Sequence, residues 1–159
     1  MRGPGTLFAA WALHDIEEAL AFPSSCDKLA EATGIESLRM SPAQSWAAVG
    51  MAGAVVATAS IRGARTRGRS SLYRAVIAGL ESHVATYVGM SLLAGGYSAG
   101  MVTAVTVMLP GTRYARLELA RNGAPLTRRD TAVGLALLGP VALGAHVASR
   151  LLLSGRAVR

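Results

Sequence analysis

Five consecutive residues, His14-Asp15-Ile16-Glu17-Glu18, place an imidazole and three carboxyl groups inside an apolar stretch. On a helix, residues three and four apart share a face. His14 therefore aligns with Glu17 and Glu18, and Asp15 aligns with Glu18. An imidazole flanked by carboxylates is ligand geometry for a divalent metal such as Zn, Fe or Mn. It is equally an acid–base set, in which a carboxylic acid donates a proton while a carboxylate or histidine accepts one. The apolar run continues through Ala19, Leu20, Ala21 and Phe22. A helix end with its carboxylates in water therefore fits less well than a buried site. A charge at mid-bilayer costs at least ~2.5–3.5 kcal/mol, so several in a row need a compensating role.

Two further apolar stretches carry ionisable groups: Glu81 and His83 in one, His146 in the other. Glu81 and His83 stand two apart, which on a straight helix turns them to nearly opposite sides. The catalytic candidates are thus His14, Asp15, Glu17, Glu18 and Glu81. The metal-ligand candidates are His14, Glu17, Glu18, His83 and His146. At 1.5 Å per residue, His14, Glu18, His83 and His146 lie ~13 to ~22 Å from the starts of their stretches, a depth at which they can converge.

The elements that must position these groups follow from hydropathy. The chain has 159 residues, 52% apolar and only 16% charged, with a mean hydropathy of +0.39. Soluble domains usually carry about 25% charge. An all-α, polytopic transmembrane bundle of a single domain is expected instead. Residues 5–22, 42–61, 72–93, 98–109 and 131–153 are the candidate spans, judged against the ~20 residues that cross a bilayer core. The first is expected to stop at Pro23, and the fourth is the weakest, leaving four spans as the alternative. The fifth should kink at Gly139-Pro140. Small residues in the second and fifth spans (Ala47, Gly50, Ala54; Gly139, Gly144, Ala148) should let helices approach closely. No removable signal peptide is expected, because the first stretch carries charges where a signal sequence is uniformly apolar.

The net charge of +7 reads as topology. Fifteen of the sixteen basic residues are Arg, concentrated in 62–74 and 113–129. With aromatics at 5% and no nucleic-acid motif, no nucleic-acid partner is expected. The Arg-rich segments 62–71 and 113–130 are expected as cytoplasmic loops, placing the N-terminus inside. Residues 23–41 then form an extracytoplasmic loop, with 25–38 as a short interfacial helix. Arg150, Arg156 and Arg159 fall on the outer side, against the trend. The lone Cys26 forms no metal or redox motif. The Arg, Ala and Gly bias points to a GC-rich bacterial genome and its cytoplasmic membrane.

Trp11-Ala-Leu-His14-Asp-Ile-Glu17-Glu18 carries an H-x-x-E-E signature. Gly96-Tyr97-Ser98-Ala99-Gly100, followed by Thr103-Ala104 and Leu109-Pro110, is similar to a Y-x-P-G-x-x-T-A block with Ala99 in place of proline. On these residues the chain resembles the HXXEE family of small bacterial membrane proteins. The family tends to carry a histidine ahead of the second block, for which His83 is the candidate. The resemblance implies the membrane class and highlights the same residues without supplying a reaction.

The leading expectation is an intramembrane enzyme acting on a lipophilic or small metabolite. It would be a metal-dependent or acid–base hydrolase, isomerase or cyclase. The alternatives are a proton- or cation-coupled transporter and a non-catalytic accessory subunit whose polar cluster glues helices together. The lipid bilayer is the expected surrounding partner, and a homo-oligomer could supply symmetry that the sequence lacks.

Overall fold

Pro23 does not end the first helix. In the computed structural model, which describes residues 1–93 and 95–154, α1 runs from Gly3 to Thr33 with Pro23 inside it. A proline removes one donor from the helical ladder. In the same turn the hydroxyls of Ser24 and Ser25 donate to the Ala21 carbonyl, at 2.9 and 3.3 Å. The carbonyl that Pro23 leaves without a donor is that of Ala19, four residues back, so these bonds brace the helix beside the proline rather than replace the lost one. The interfacial helix expected at 25–38 is thus mostly the tail of α1. Only a single 3₁₀ turn, Glu36–Leu38, follows Gly34.

Helix α2 (Pro42–Arg65) opens on a capping box between Ser41 and Gln44, and Pro42 supplies the fixed φ of a first helical turn. Helix α3 spans Ser71–Leu93. The weak fourth segment becomes a composite rod: one turn of α4 (Met101–Thr103), a π-helical stretch (Ala104–Met108), then α5 (Leu109–Arg121). The wide turn has a cause in Pro110. Its ring would strike the carbonyl of the residue four back in an α-helix, and widening the preceding turn removes the conflict. Helix α6 (Arg128–Ser154) carries Pro140 without interruption. Among the described residues there is no strand, and the chain is an all-α bundle. α1 packs against α2 and α5, and α6 packs against α2 and α3.

Three helices, α2, α3 and α6, are long and apolar enough to cross a membrane, with mean hydropathies of 1.4, 1.3 and 1.7. The most apolar of them, α6, buries the smallest share of its surface inside the bundle. Leu143, Leu151 and Leu152 on it stand out from the bundle. That inversion is what a lipid-facing surface requires.

Close helix approach comes from glycines other than those expected. A Cβ on Gly50, Gly139 or Gly144 would meet nothing, so these lie on open faces. Gly79 and Gly134 instead bring the backbones of α3 and α6 together, and Gly53 and Gly63 receive the rings of Trp11 and Tyr73. Periodicity finds small residues but not the azimuth they face.

The two ends of the bundle differ in charge. At one end, the α1 N-terminus meets the α5 C-terminus, where Glu118 accepts from the backbone N–H groups of Arg2 and Gly3, both at 2.8 Å. Arg74 there pairs with Asp130 at 2.8 Å and donates to the Ala124 and Pro125 carbonyls. The expected Arg-rich loops are largely helical: Arg62 and Arg65 end α2, Arg113, Arg116 and Arg121 lie on α5, and Arg128 and Arg129 open α6. At the other end, Arg39 pairs with Asp27 and Glu36. Arg150, the residue that ran against the charge trend, donates to the carbonyls of Ser37 and Leu38 and so holds the 3₁₀ turn. Arg156 and Arg159 lie outside the described residues.

Candidate functional site

The two adjacent glutamates of the motif turn to different neighbours. Glu17 faces the segment that joins α3 to α5. Its Oε1 accepts from the Tyr97 hydroxyl at 2.6 Å. Its Oε2 accepts from the Thr103 backbone N–H at 2.8 Å and from the Thr103 hydroxyl. Thr103 lies in the first turn after Gly100, where backbone donors have no helical partner. Glu17 therefore caps the composite rod from a different helix, and its negative charge sits favourably at that helix start.

Gly100 makes this docking feasible. Its φ is +83°, and a Cβ there would lie 2.9 Å from Cε1 of His14 and 3.1 Å from Tyr87. Ser98 fastens the same segment to α3, its hydroxyl 2.7 Å from that of Ser91.

His14 is buried, with 1% of its surface exposed. Its Nδ1 lies 3.1 Å from the Thr103 hydroxyl oxygen. That hydroxyl has one hydrogen, already given to Glu17, so towards His14 the oxygen accepts. A neutral His14 thus carries its proton on Nδ1 and its lone pair on Nε2. Nε2 is buried without a hydrogen-bond partner among the described residues. Its near neighbour is Glu18, with Oε2 at 3.8 Å.

Glu18 and Asp15 face inward. Both line a cavity of about 140 Å³ between α1, α2, α3 and α6. Its walls are otherwise mostly apolar, with Trp11, Val56, Leu80 and Leu138 among them, and His83 and His146 complete its polar lining. Among the described residues Glu18 accepts one hydrogen bond, from the Tyr87 hydroxyl at 2.7 Å. The Tyr87 ring stands edge-on between His14 and His83, with both ring centroids 4.8 Å away. His146 stacks on Phe22 at 4.8 Å.

The predicted residues thus divide. His14, Asp15 and Glu18 converge: one ligand atom from each lies within 4.8 Å of the others. Glu17, expected among both the catalytic and the metal-binding groups, is consumed by Tyr97 and Thr103. His83 and His146 share the cavity without joining the cluster. Glu81 leaves the site: its carboxylate meets Arg116 at 2.6 Å and Arg113 at 3.9 Å on the α5 side. Glu81, expected among the catalytic groups, falls on the side away from His83, as their two-residue spacing on a helix requires. Tyr87 was missed, because one tyrosine in an apolar helix carries no signal of its own. Tyr97 and Thr103 were visible only as part of the second sequence block.

The family model described as "Protein of unknown function with HXXEE motif" matches residues 6–115. The chain belongs to the HXXEE family. The matched span contains both blocks, and the contacts above explain their pairing, since the second block holds the first glutamate of the H-x-x-E-E motif. Comparison with curated proteins and with solved structures finds no match.

Proposed function

We propose that this HXXEE protein is an intramembrane enzyme performing acid–base chemistry on a small lipophilic molecule in the cavity of α1, α2, α3 and α6. One observation carries the reading: Asp15 and Glu18 open onto an apolar cavity, backed by the unpartnered Nε2 of His14. Polar groups that serve only to join helices are saturated by their neighbours, as Glu17 is. Unsaturated ionisable groups in a largely apolar pocket are costly and mark a site of chemistry. A cavity of about 150 Å³ takes a benzene-sized ligand, so the reacting part of the substrate is small. Glu18 and Asp15 are the proton-handling pair. The free lone pair of His14 accepts, and Tyr87 orients Glu18.

The cluster of arginines at the α1 N-terminal end supports a cytoplasmic N-terminus by the positive-inside rule. The composition supports a bacterial cytoplasmic membrane as its location.

Expression in a bacterial host followed by comparison of lipid extracts tests the proposal. A lipophilic species should appear or be consumed with the wild type and be unchanged with Glu18→Gln or Asp15→Asn at equal membrane abundance. Identical extracts from the wild type and both variants would overturn it.

A further inference from the structure

We infer that His14, Asp15 and Glu18 form a divalent-metal site of the class occupied by Zn²⁺, Fe²⁺ or Mn²⁺. Three observations converge on it. The ligand atoms lie within 4.8 Å of one another, on side chains that are buried or nearly so. Around a tetrahedral Zn²⁺ at about 2.0 Å, ligand atoms stand roughly 3.3 Å apart, so the cluster closes on the ion by a rotamer-scale movement.

The second observation is the hydrogen-bond chain from Glu17 through Thr103 to Nδ1 of His14. A metal-binding histidine characteristically donates its other ring N–H to an oxygen acceptor, which fixes the tautomer and aims the lone pair. Here the same arrangement leaves Nε2 buried, unpartnered and on the Glu18 side. Tyr87 holds the Glu18 carboxylate in the same fashion.

The third is charge. Binding an ion would deprotonate both carboxyls, and two carboxylates with one neutral imidazole carry −2, which a dication cancels in a largely apolar pocket. Cys26 is not part of the cluster, so the donors are nitrogen and oxygen, suited to Zn, Fe or Mn rather than to thiolate-seeking ions. Because Asp15 and Glu18 line the cavity, the remaining coordination positions face the space assigned to substrate.

This metal site rests on the proposed enzyme's pocket but reassigns its residues. A His14 Nε2 and carboxylates that bind an ion no longer exchange protons themselves, and the ion would supply the Lewis acid. The site is tested by bound metal rather than by turnover, so the two proposals fail separately. The full chain, purified in detergent and stripped with a chelator, is reloaded with Zn²⁺, Mn²⁺ or anaerobic Fe²⁺, and metal is measured after desalting. At least one of these ions should be retained at a single metal per chain. X-ray absorption at its edge should show one imidazole nitrogen with carboxylate oxygens. Retention should be lost in His14→Ala and Glu18→Gln and kept in His146→Ala. Thr103→Val should weaken affinity by about 10–100-fold through the histidine it orients. Absence of stoichiometric uptake of all three ions by the folded wild type would overturn the site. So would a coordination sphere without imidazole, which needs no variant to observe. Loss of Glu18-dependent lipid chemistry alongside intact metal binding would overturn the enzyme and leave the metal site standing.

Discussion

Glu17 and Glu18 are neighbours in the chain and opposites in the fold. Glu17 accepts from one tyrosine hydroxyl, one threonine hydroxyl and one backbone N–H. Among the described residues Glu18 accepts from a single tyrosine hydroxyl, and it borders a cavity. One carboxylate is saturated and holds two segments together, while the other retains unused acceptor capacity beside His14 and Asp15. An ionisable group in an apolar bundle is therefore not functional by type alone; what separates the two roles is the number of donors that reach it.

The largest expected difference between the halves is in stability. Glu17→Ala leaves the part-buried Thr103 backbone donor unpaired and removes charge-assisted bonds, so it should destabilise the fold by about 1–3 kcal/mol. Glu18→Gln keeps the size and an acceptor for the Tyr87 hydroxyl at an unsaturated site and should shift stability by less than about 1 kcal/mol. Unfolding in detergent, followed by helix signal, measures both. Equal losses would erase the distinction.

A smaller effect is expected at the seam between the halves. Gly100→Ala places a methyl against His14 in a left-handed backbone conformation and should cost about 1–2 kcal/mol. Its metal retention should fall with it, since the segment that orients His14 is displaced. Unchanged metal retention in a folded Gly100→Ala protein would show that the second block does not position the histidine.

The smallest effect is expected at the far end of α1. Hydrogen bonding and charge from Arg39 hold the exposed Glu36 carboxyl below its ordinary range. A depressed value contributes stability above the unfolded pKa, and that contribution is lost as pH falls through the folded one. Both partners are solvent-exposed, so Glu36→Gln should leave the thermal midpoint at neutral pH nearly unchanged. A large drop there would show that carboxylates outside the cluster also matter to the fold.

Much of this architecture is visible in the sequence. Hydropathy marks α2, α3 and α6 closely, and the two-residue spacing of Glu81 and His83 separates an outward ion pair from an inward imidazole. The continuation of α1 through Pro23 is not visible, because what outweighs the lost ladder bond is the packing of Ala19, Cys26 and Ala30 on both sides of it, which exists only in the fold. Nor is the division between Glu17 and Glu18. Positions three and four after His14 both fall on its face, and only the docking of Tyr97 and Thr103 decides which carboxylate is consumed. The contact glycines fail similarly: Gly134 and Gly139 are equivalent in composition, but only one faces another backbone.

The central claim is that His14 presents a free Nε2 lone pair because Glu17 and Thr103 hold its proton on Nδ1. Nitrogen NMR of the wild type with labelled histidine rings reads this directly, with His14→Asn used to assign the signal. The expected result is a protonated Nδ1 and an unprotonated Nε2 at neutral pH, with the Nε2 resonance alone moving strongly on Zn²⁺ addition. A proton on Nε2, or a spectrum indifferent to metal, would contradict it.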